Sequence, residues 1–286
     1  MDNIKVQHEE LTGERALFRK SDLFIEDCCF HDGESPLKEG RNLKVKGCTF
    51  SYKYPLWYGK GHLVENSKFL EMARSGIWYT DDSTFRNCDI IAPKLFRRCN
   101  NIVLKNLHFH DAKETLWSCD KVTLKDIKVE NGDYFGKDSS NVCVENLIID
   151  GNYCFDGGKN IVVKDSILRS KDAFWNCENV CLINCRVEGE YFAWNTKNIR
   201  LEHCHIVSHQ GFCYMDNVSI VDSTIENSDL IFEYCSNLDV SIHSKLLSVK
   251  NPTSGIIRSR GIEELIMNED RIPGGIVHFE TLGDEQ

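Results

Sequence analysis

Apolar residues recur along this chain in one phrase that returns every 19–21 residues. Counted from its first residue, the phrase places apolar side chains at offsets one, three, six and eight. Clear copies are Asn101-Ile102-x-Leu104-x-Asn106-Leu107-x-Phe109 and Asn198-Ile199-x-Leu201-x-His203-Cys204-x-Ile206. Offsets one and three alternate as a strand does, and so do six and eight. The odd step between them needs a corner. Offset five, where that corner falls, is occupied by Asp27, Asn66, Asn87, Asn106, Asp126, Asn146, Asp165, Asn184 and Asp222. Asn and Asp tolerate left-handed backbone and bond their own chain, which suits a tight turn. Twelve phrases begin between Asp22 and Asn237. A repeat this short buries its apolar face only against its neighbours, which is the logic of a solenoid.

Two short strands meeting at a bend, with a third strand later in the unit, describe one coil of a parallel β-helix. A leucine-rich repeat needs a helical stretch in each unit, and helical-pair solenoids need units of about 33 residues or more. The expected third strand carries one large aromatic residue per coil: Trp57, Trp78, Phe96, Trp117, Phe135, Phe155, Phe174, Phe192, Phe212 and Phe232. Tyr is missing from that column although it occurs one or two residues away, as at Tyr58, Tyr134 and Tyr191. A buried phenol needs a partner and a phenyl ring does not, so the column is expected to stack inward. The fold class is therefore all-β, a parallel β-helix of about twelve coils in a single domain. Residues 1–21 are expected to cap one end, 22–245 to form the coils, and 246–286 to form an irregular last coil and a second cap. Within the latter, Val277-His278-Phe279-Glu280-Thr281 reads as an added terminal strand.

Composition narrows the function. A net charge of −10 and a pI near 5.5 argue against a general nucleic-acid binder, which needs a concentrated positive face. No stretch is apolar for 18 residues and Met1 to Lys20 is charged throughout, so neither a membrane span nor a signal peptide is expected. With 14 cysteines, that points to reduced thiols and a cytoplasmic location. Cys28, Cys48, Cys88, Cys185 and Cys204 share offset six, a column of small core residues where a free thiol packs well. Cys177, Cys181 and Cys185 follow the coil period and not a paired-thiolate spacing. The ten histidines show no pair at metal-ligand spacing on one element, and no metal or cofactor is expected. His108, His110 and Asp111, with Glu114 nearby, read as a surface or capping corner. Phosphate-loop, GxSxG and HExxH patterns are absent.

Candidate chemistry lies just ahead of the aromatic column. Successive coils place Lys53, Arg74, Lys94, Glu114, Asp133, Asn152, Asp172, Glu190, Gln210 and Asp229 there. The row is basic for three coils and then mostly acidic; Arg97 and Arg98 deepen the basic end and Asp156 the acidic end. Tyr58, Tyr79, Trp175 and Trp194 flank it as stacking surfaces. Carboxylates one rung apart repel, which favours a shared proton, and about 4.8 Å is close to the spacing in retaining glycosidases. Glu114 with Asp133, or Asp172 with Glu190, are thus candidate acid–nucleophile pairs. Lys53, Arg74, Tyr79, Lys94, Arg98, Asp156 and Trp175 are candidate ligand contacts. The same spacing arises in any repeat, so ion pairing or solvation of these groups is the plainer expectation. Two readings follow. One is a binding or scaffolding module for a carbohydrate-like ligand or a partner protein; the other is a hydrolase, lyase or epimerase acting on an acidic sugar.

Less periodic phrases add a resemblance. Gly13-Glu14-Arg15-Ala16-Leu17-Phe18, Gly33-Glu34-Ser35-Pro36-Leu37-Lys38 and Lys53-Tyr54-Pro55-Leu56-Trp57-Tyr58 resemble the bacterial family catalogued as domain of unknown function 3737. So do Gly76-Ile77-Trp78-Tyr79-Thr80, Asp172-Ala173-Phe174-Trp175-Asn176 and Gln210-Gly211-Phe212-Cys213-Tyr214. The resemblance covers nearly the whole chain. It implies a right-handed β-helix of the pectin-lyase type and no catalytic residues to carry over. The Asn-Thr-Asp and Gly-His-Gly contexts of pectin-cutting relatives do not occur here.

Overall fold

The computed structural model describes residues 4–272, 274 and 276–283. Its contacts divide the chain into two compact units, Met1–Asp150 and Gly151–Gln286. Both are stacks of parallel strands, and among the described residues there is no α-helix, only a 3-10 turn at Glu71–Ala73.

In the first unit one in-register column runs Val6, Ile25, Val45, Val64, Phe85, Leu104, Leu124 and Val144, one residue per rung. All but Val6 are buried. In the second unit the matching column is Val163, Leu182, Leu201, Ile220, Val240, Ile257 and Phe279. The solenoid therefore has about 15 turns, more than the twelve phrases. The added rungs are Ile4–Gln7, Ser254–Ser259 and Ile276–Thr281, whose sequences drift from the phrase but pair in parallel all the same. The last of these contains the expected terminal strand.

The corners form as expected. All nine offset-five residues are left-handed, with φ between 45° and 59°. The phrase-opening Asn is left-handed too, so each unit bends twice through an Asn-rich corner. Amides then bond from rung to rung: Asn198 Nδ2 donates to Asn179 Oδ1 at 2.9 Å and Asn217 Nδ2 to Asn198 Oδ1 at 2.8 Å. At the other corner Asn106 Nδ2 donates to Asn87 Oδ1 at 2.9 Å. An amide carries both donor and acceptor, so one residue type bonds up and down the stack.

The third side differs from the expected strand. It is a run of turns in which alternate residues are left-handed, as at Glu114, Leu116 and Ser118 with φ of 53°, 59° and 52°. Its amides still bridge rungs: Glu114 N–H donates to Asp133 O, Leu116 N–H to Leu95 O and Ser118 N–H to Lys137 O, at 2.9, 3.0 and 2.9 Å. Left-handed backbone costs a bulky residue roughly 1–2 kcal/mol. Burying a Leu or Phe side chain contributes about 1.5–3 kcal/mol, so tertiary burial wins over local preference.

This geometry corrects the aromatic column. Phe96, Phe135, Phe155, Phe174, Phe192, Phe212 and Phe232 are buried as expected. In the three Trp coils the core position is taken instead by Leu56, Ile77 and Leu116, and Trp57, Trp78 and Trp117 lie one residue later and half-buried. The cause is the indole N–H, which needs an acceptor. Trp78 Nε1 donates to Lys94 O at 2.8 Å and Trp117 Nε1 to Tyr134 O at 2.7 Å; Trp57 makes the equivalent bond to Ser75 O. The cysteine column is confirmed: all five offset-six thiols are buried and free. Burial pushes the Cys48 thiol up to about 12 and Cys88 to about 11, which keeps both protonated and unreactive.

Candidate functional site

The turn side gathers most of the residues singled out from the sequence, and the two units use it differently. In the first unit two outward columns run side by side. One is Trp57, Trp78, Arg97 and Trp117. The two leading indoles stack at 5.4 Å and 12°, and the Arg97 guanidinium lies 4.5 Å from both the Trp78 and Trp117 ring centroids. The other is Lys38, Tyr58, Tyr79 and Arg98, with the phenol rings stacked at 4.9 Å and 3°. Rings this parallel cover the faces they turn toward one another.

Glu114 closes the cationic end. Its Oε1 is 3.1 Å from Lys94 Nζ and its Oε2 is 3.2 Å from Arg97 Nη2. Asp133 sits one rung on, its carbonyl accepting the Glu114 N–H. Glu114 spends both oxygens on cations and anchors the Arg97 sandwich. Lys53 is occupied as well, 3.1 Å from Glu34 Oε1. Arg74 and Arg98 are exposed.

The second unit is more open. Trp175, Trp194, Tyr214 and Tyr234 form a run of neighbouring rings that steps at Tyr214 into the register of Asn195, with centroid separations of 5.8, 5.1 and 5.6 Å and tilts of 31°, 44° and 33°. Tilted rings leave part of each face uncovered. Beside them runs an amide row: Asn195 Nδ2 donates to Asn176 Oδ1 at 3.0 Å, and Asn176 Nδ2 donates to Asp156 Oδ1 at 3.2 Å. Between the rows lies a shallow groove of about 430 Å³ lined by Trp175, Asn176, Trp194, Asn195 and Tyr214. Trp175 Nε1 is fixed to Tyr191 O at 2.5 Å, so that ring is held before any ligand arrives.

Asp172 lies in the same turn as Trp175, three residues before it. It is 2% exposed, and its Oδ1 is buried without a hydrogen-bond partner. Burial pushes its carboxyl above the usual carboxylate range; Lys171 and a Tyr153 hydrogen bond pull the other way, and the Glu190 charge adds to the rise. Glu190 does not stack on Asp172 in register. Its amide donates to Lys171 O at 2.9 Å and its carboxylate pairs with Lys171 Nζ at 3.5 Å. Tyr153 and Tyr191 pack edge-on against Trp175 at 5.7 and 6.4 Å. Asp172, Glu190, Asp156 and Trp175 are therefore brought to one face of the second unit. Glu114, Asp133, Lys53, Lys94, Arg98 and Tyr79 belong to the first.

The histidine reading also needs correction. His108 and His110 do lie on one face of one coil, because Phe109 between them points into the core. Their ring centroids are 3.8 Å apart. Parallel pairing of Asp81–Ile90 with Asn100–Phe109 sets Asp89 opposite His108.

Residues 4–277 match a family described as "Protein of unknown function (DUF3737)". The chain belongs to this family. No curated protein matches this DUF3737 chain. Among solved structures it is similar to PfbA, a surface adhesin of Streptococcus pneumoniae, at 12% identity and a TM-score of 0.48, covering 80% of this chain and 73% of that one. A mutant tailspike protein of E. coli bacteriophage HK620, in complex with a pentasaccharide, is similar at 8% identity and a TM-score of 0.47, covering 96% and 70%. The A-module of the Azotobacter vinelandii mannuronan C-5 epimerase AlgE4 follows at 11% identity and a TM-score of 0.35, covering 98% and 91%. At these scores the likenesses carry no argument about what the DUF3737 chain binds.

Proposed function

We propose that this chain is a binding solenoid that takes a carbohydrate-like, polyhydroxylated ligand in the groove of its second unit. One observation carries the reading: the tilted Trp175–Trp194–Tyr214 rings run beside the Asn176–Asn195 amides along the same groove. Apolar faces of a sugar pack on such rings, and its hydroxyls exchange hydrogen bonds with amides that both donate and accept. Tyr214 is 44% exposed, so the platform is reachable. We assign the first unit's ring columns to stability, since their faces are already used on one another. The thiols support a reducing, cytoplasmic setting for this ligand.

The test is titration of Trp fluorescence and melting temperature with oligosaccharides, uronic acids and nucleotide sugars. Binding should disappear in Trp194→Ala and persist in Trp117→Phe. A ligand that binds both variants equally, or a panel with no binder at all, sinks the proposal.

A second reading, turnover of the bound sugar, is favoured by Asp172 alone. A buried carboxyl held above its ordinary range is suited to give up a proton in a transition state. Any glycan turnover should vanish in Asp172→Asn; unchanged turnover removes Asp172 from the chemistry.

A further inference from the structure

We propose that Asp89, His108 and His110 form a binding site for a divalent transition metal on the first unit, independent of the sugar groove. The argument begins with alternation. Phe109 is fully buried, so its two neighbours must both point outward from the same strand end. The parallel register then delivers Asp89 from the preceding coil beside them. His110 Nε2 is 2.7 Å from Asp89 Oδ1, and one donor atom from each of the three residues lies within 4.8 Å of the others. Ligands at about 2.0–2.2 Å from a tetrahedral or octahedral ion sit about 3.0–3.4 Å from one another.

Two further features fit a metal. His108 Nε2 is 3.0 Å from Glu130 Oε1, a carboxylate on the next coil that fixes the ring and leaves Nδ1 as its other nitrogen. Carboxylate–histidine–metal chains of this kind orient a ligand and raise its basicity. Lys128, in register with His108, is the nearby cation, and it is tied to Glu130 at 2.6 Å. An open groove of about 430 Å³ also borders Asp89 and His108, between them and the Asn87–Asn106 corner. Two of the three ligands thus border open space, as in sites that keep a coordination position for water or a small oxygen-donor ligand.

The set of two imidazoles and one carboxylate suits zinc, cobalt or iron over calcium or magnesium, which prefer oxygen donors. A second cluster, Glu10, Cys29 and His31, provides an internal control in the same unit. The experiment is titration of the intact chain with zinc by calorimetry and with cobalt by visible absorption. One equivalent should bind, with cobalt bands in the visible. His110→Ala and Asp89→Asn should each weaken zinc at least tenfold, and His31→Ala should leave affinity and bands unchanged. Far-UV circular dichroism and melting of each variant separate lost ligation from lost fold, because all three side chains are only half-buried. Absence of binding to the wild type, equal affinity in Asp89→Asn, or loss that follows His31→Ala would each overturn the site.

Discussion

His62 offers the sharpest test of how tightly the first unit is packed. Its side chain is 2% exposed, its Nδ1 accepts the Leu43 N–H at 3.3 Å, and its Nε2 is buried without a partner. Burial, helped by the Arg41 charge, pushes its pKa down from 6.5 to about 4. In the unfolded chain the ring titrates at its ordinary value. Between those two values the unfolded state holds the extra proton, so stability must fall as pH drops through that window. The difference of about 2.5 pKa units, at 1.36 kcal/mol each, gives a loss of about 3 kcal/mol by pH 4. Carboxylates held low by partners, such as Glu130 at about 2, contribute mainly below the ordinary carboxylate range. They can be subtracted with a variant that cannot titrate. Urea unfolding of the wild type and of His62→Gln from pH 7.5 to pH 4 should show a gap that narrows by about 3 kcal/mol on acidification, in favour of the variant. A gap that stays constant over that range would mean the ring is not sealed from water, and the packing of Gly59 against it would have to be wrong too: a Cβ there would stand 2.2 Å from Nε2.

Two other changes probe the second unit. Phe174→Ala removes a fully buried ring stacked on Phe155 at 5.6 Å, and should lower stability by about 3–5 kcal/mol with an unchanged urea slope; a loss under about 1 kcal/mol would place the ring at the surface. Asp172→Asn should do the opposite. Because the folded carboxyl has a raised pKa, the wild type loses stability as pH climbs past the ordinary carboxylate value, so the variant should gain on the wild type between pH 3 and pH 7. Equal melting curves at both pH values would show that this carboxylate is solvated.

How much of this was legible in the chain depends on whether a signal was local. Corner residues such as Asn106 and Asn184 announced themselves, because left-handed backbone selects Asn and Asp directly. The thiol column did too, since its offset is fixed by strand alternation. The turn side was not legible, because Leu116 and Phe174 adopt left-handed backbone against their own preference and only stacking enforces it. Aligning Trp57 with Phe96 by residue type hid the one-residue shift that the indole N–H demands. The site had the same limit. Trp175 and Asp172 were readable one at a time, but the ion pair of Glu190 with Lys171 depends on register. The His108–Asp89 juxtaposition depends on it in the same way, between coils 19 residues apart.

The Asn198 ladder has a consequence for how such a chain can change. Because each corner amide meets a copy of itself above and below, excising the stretch from Asn179 to Lys197 would bring Asn198 against Asn160 and restore the same kind of bond. Coils of 19, 20 and 21 residues already keep their corners in line, so the turn side absorbs a change of one residue. Between the Asn198 corner and Ile206 the spacing is fixed, and removing one residue there would turn buried side chains outward.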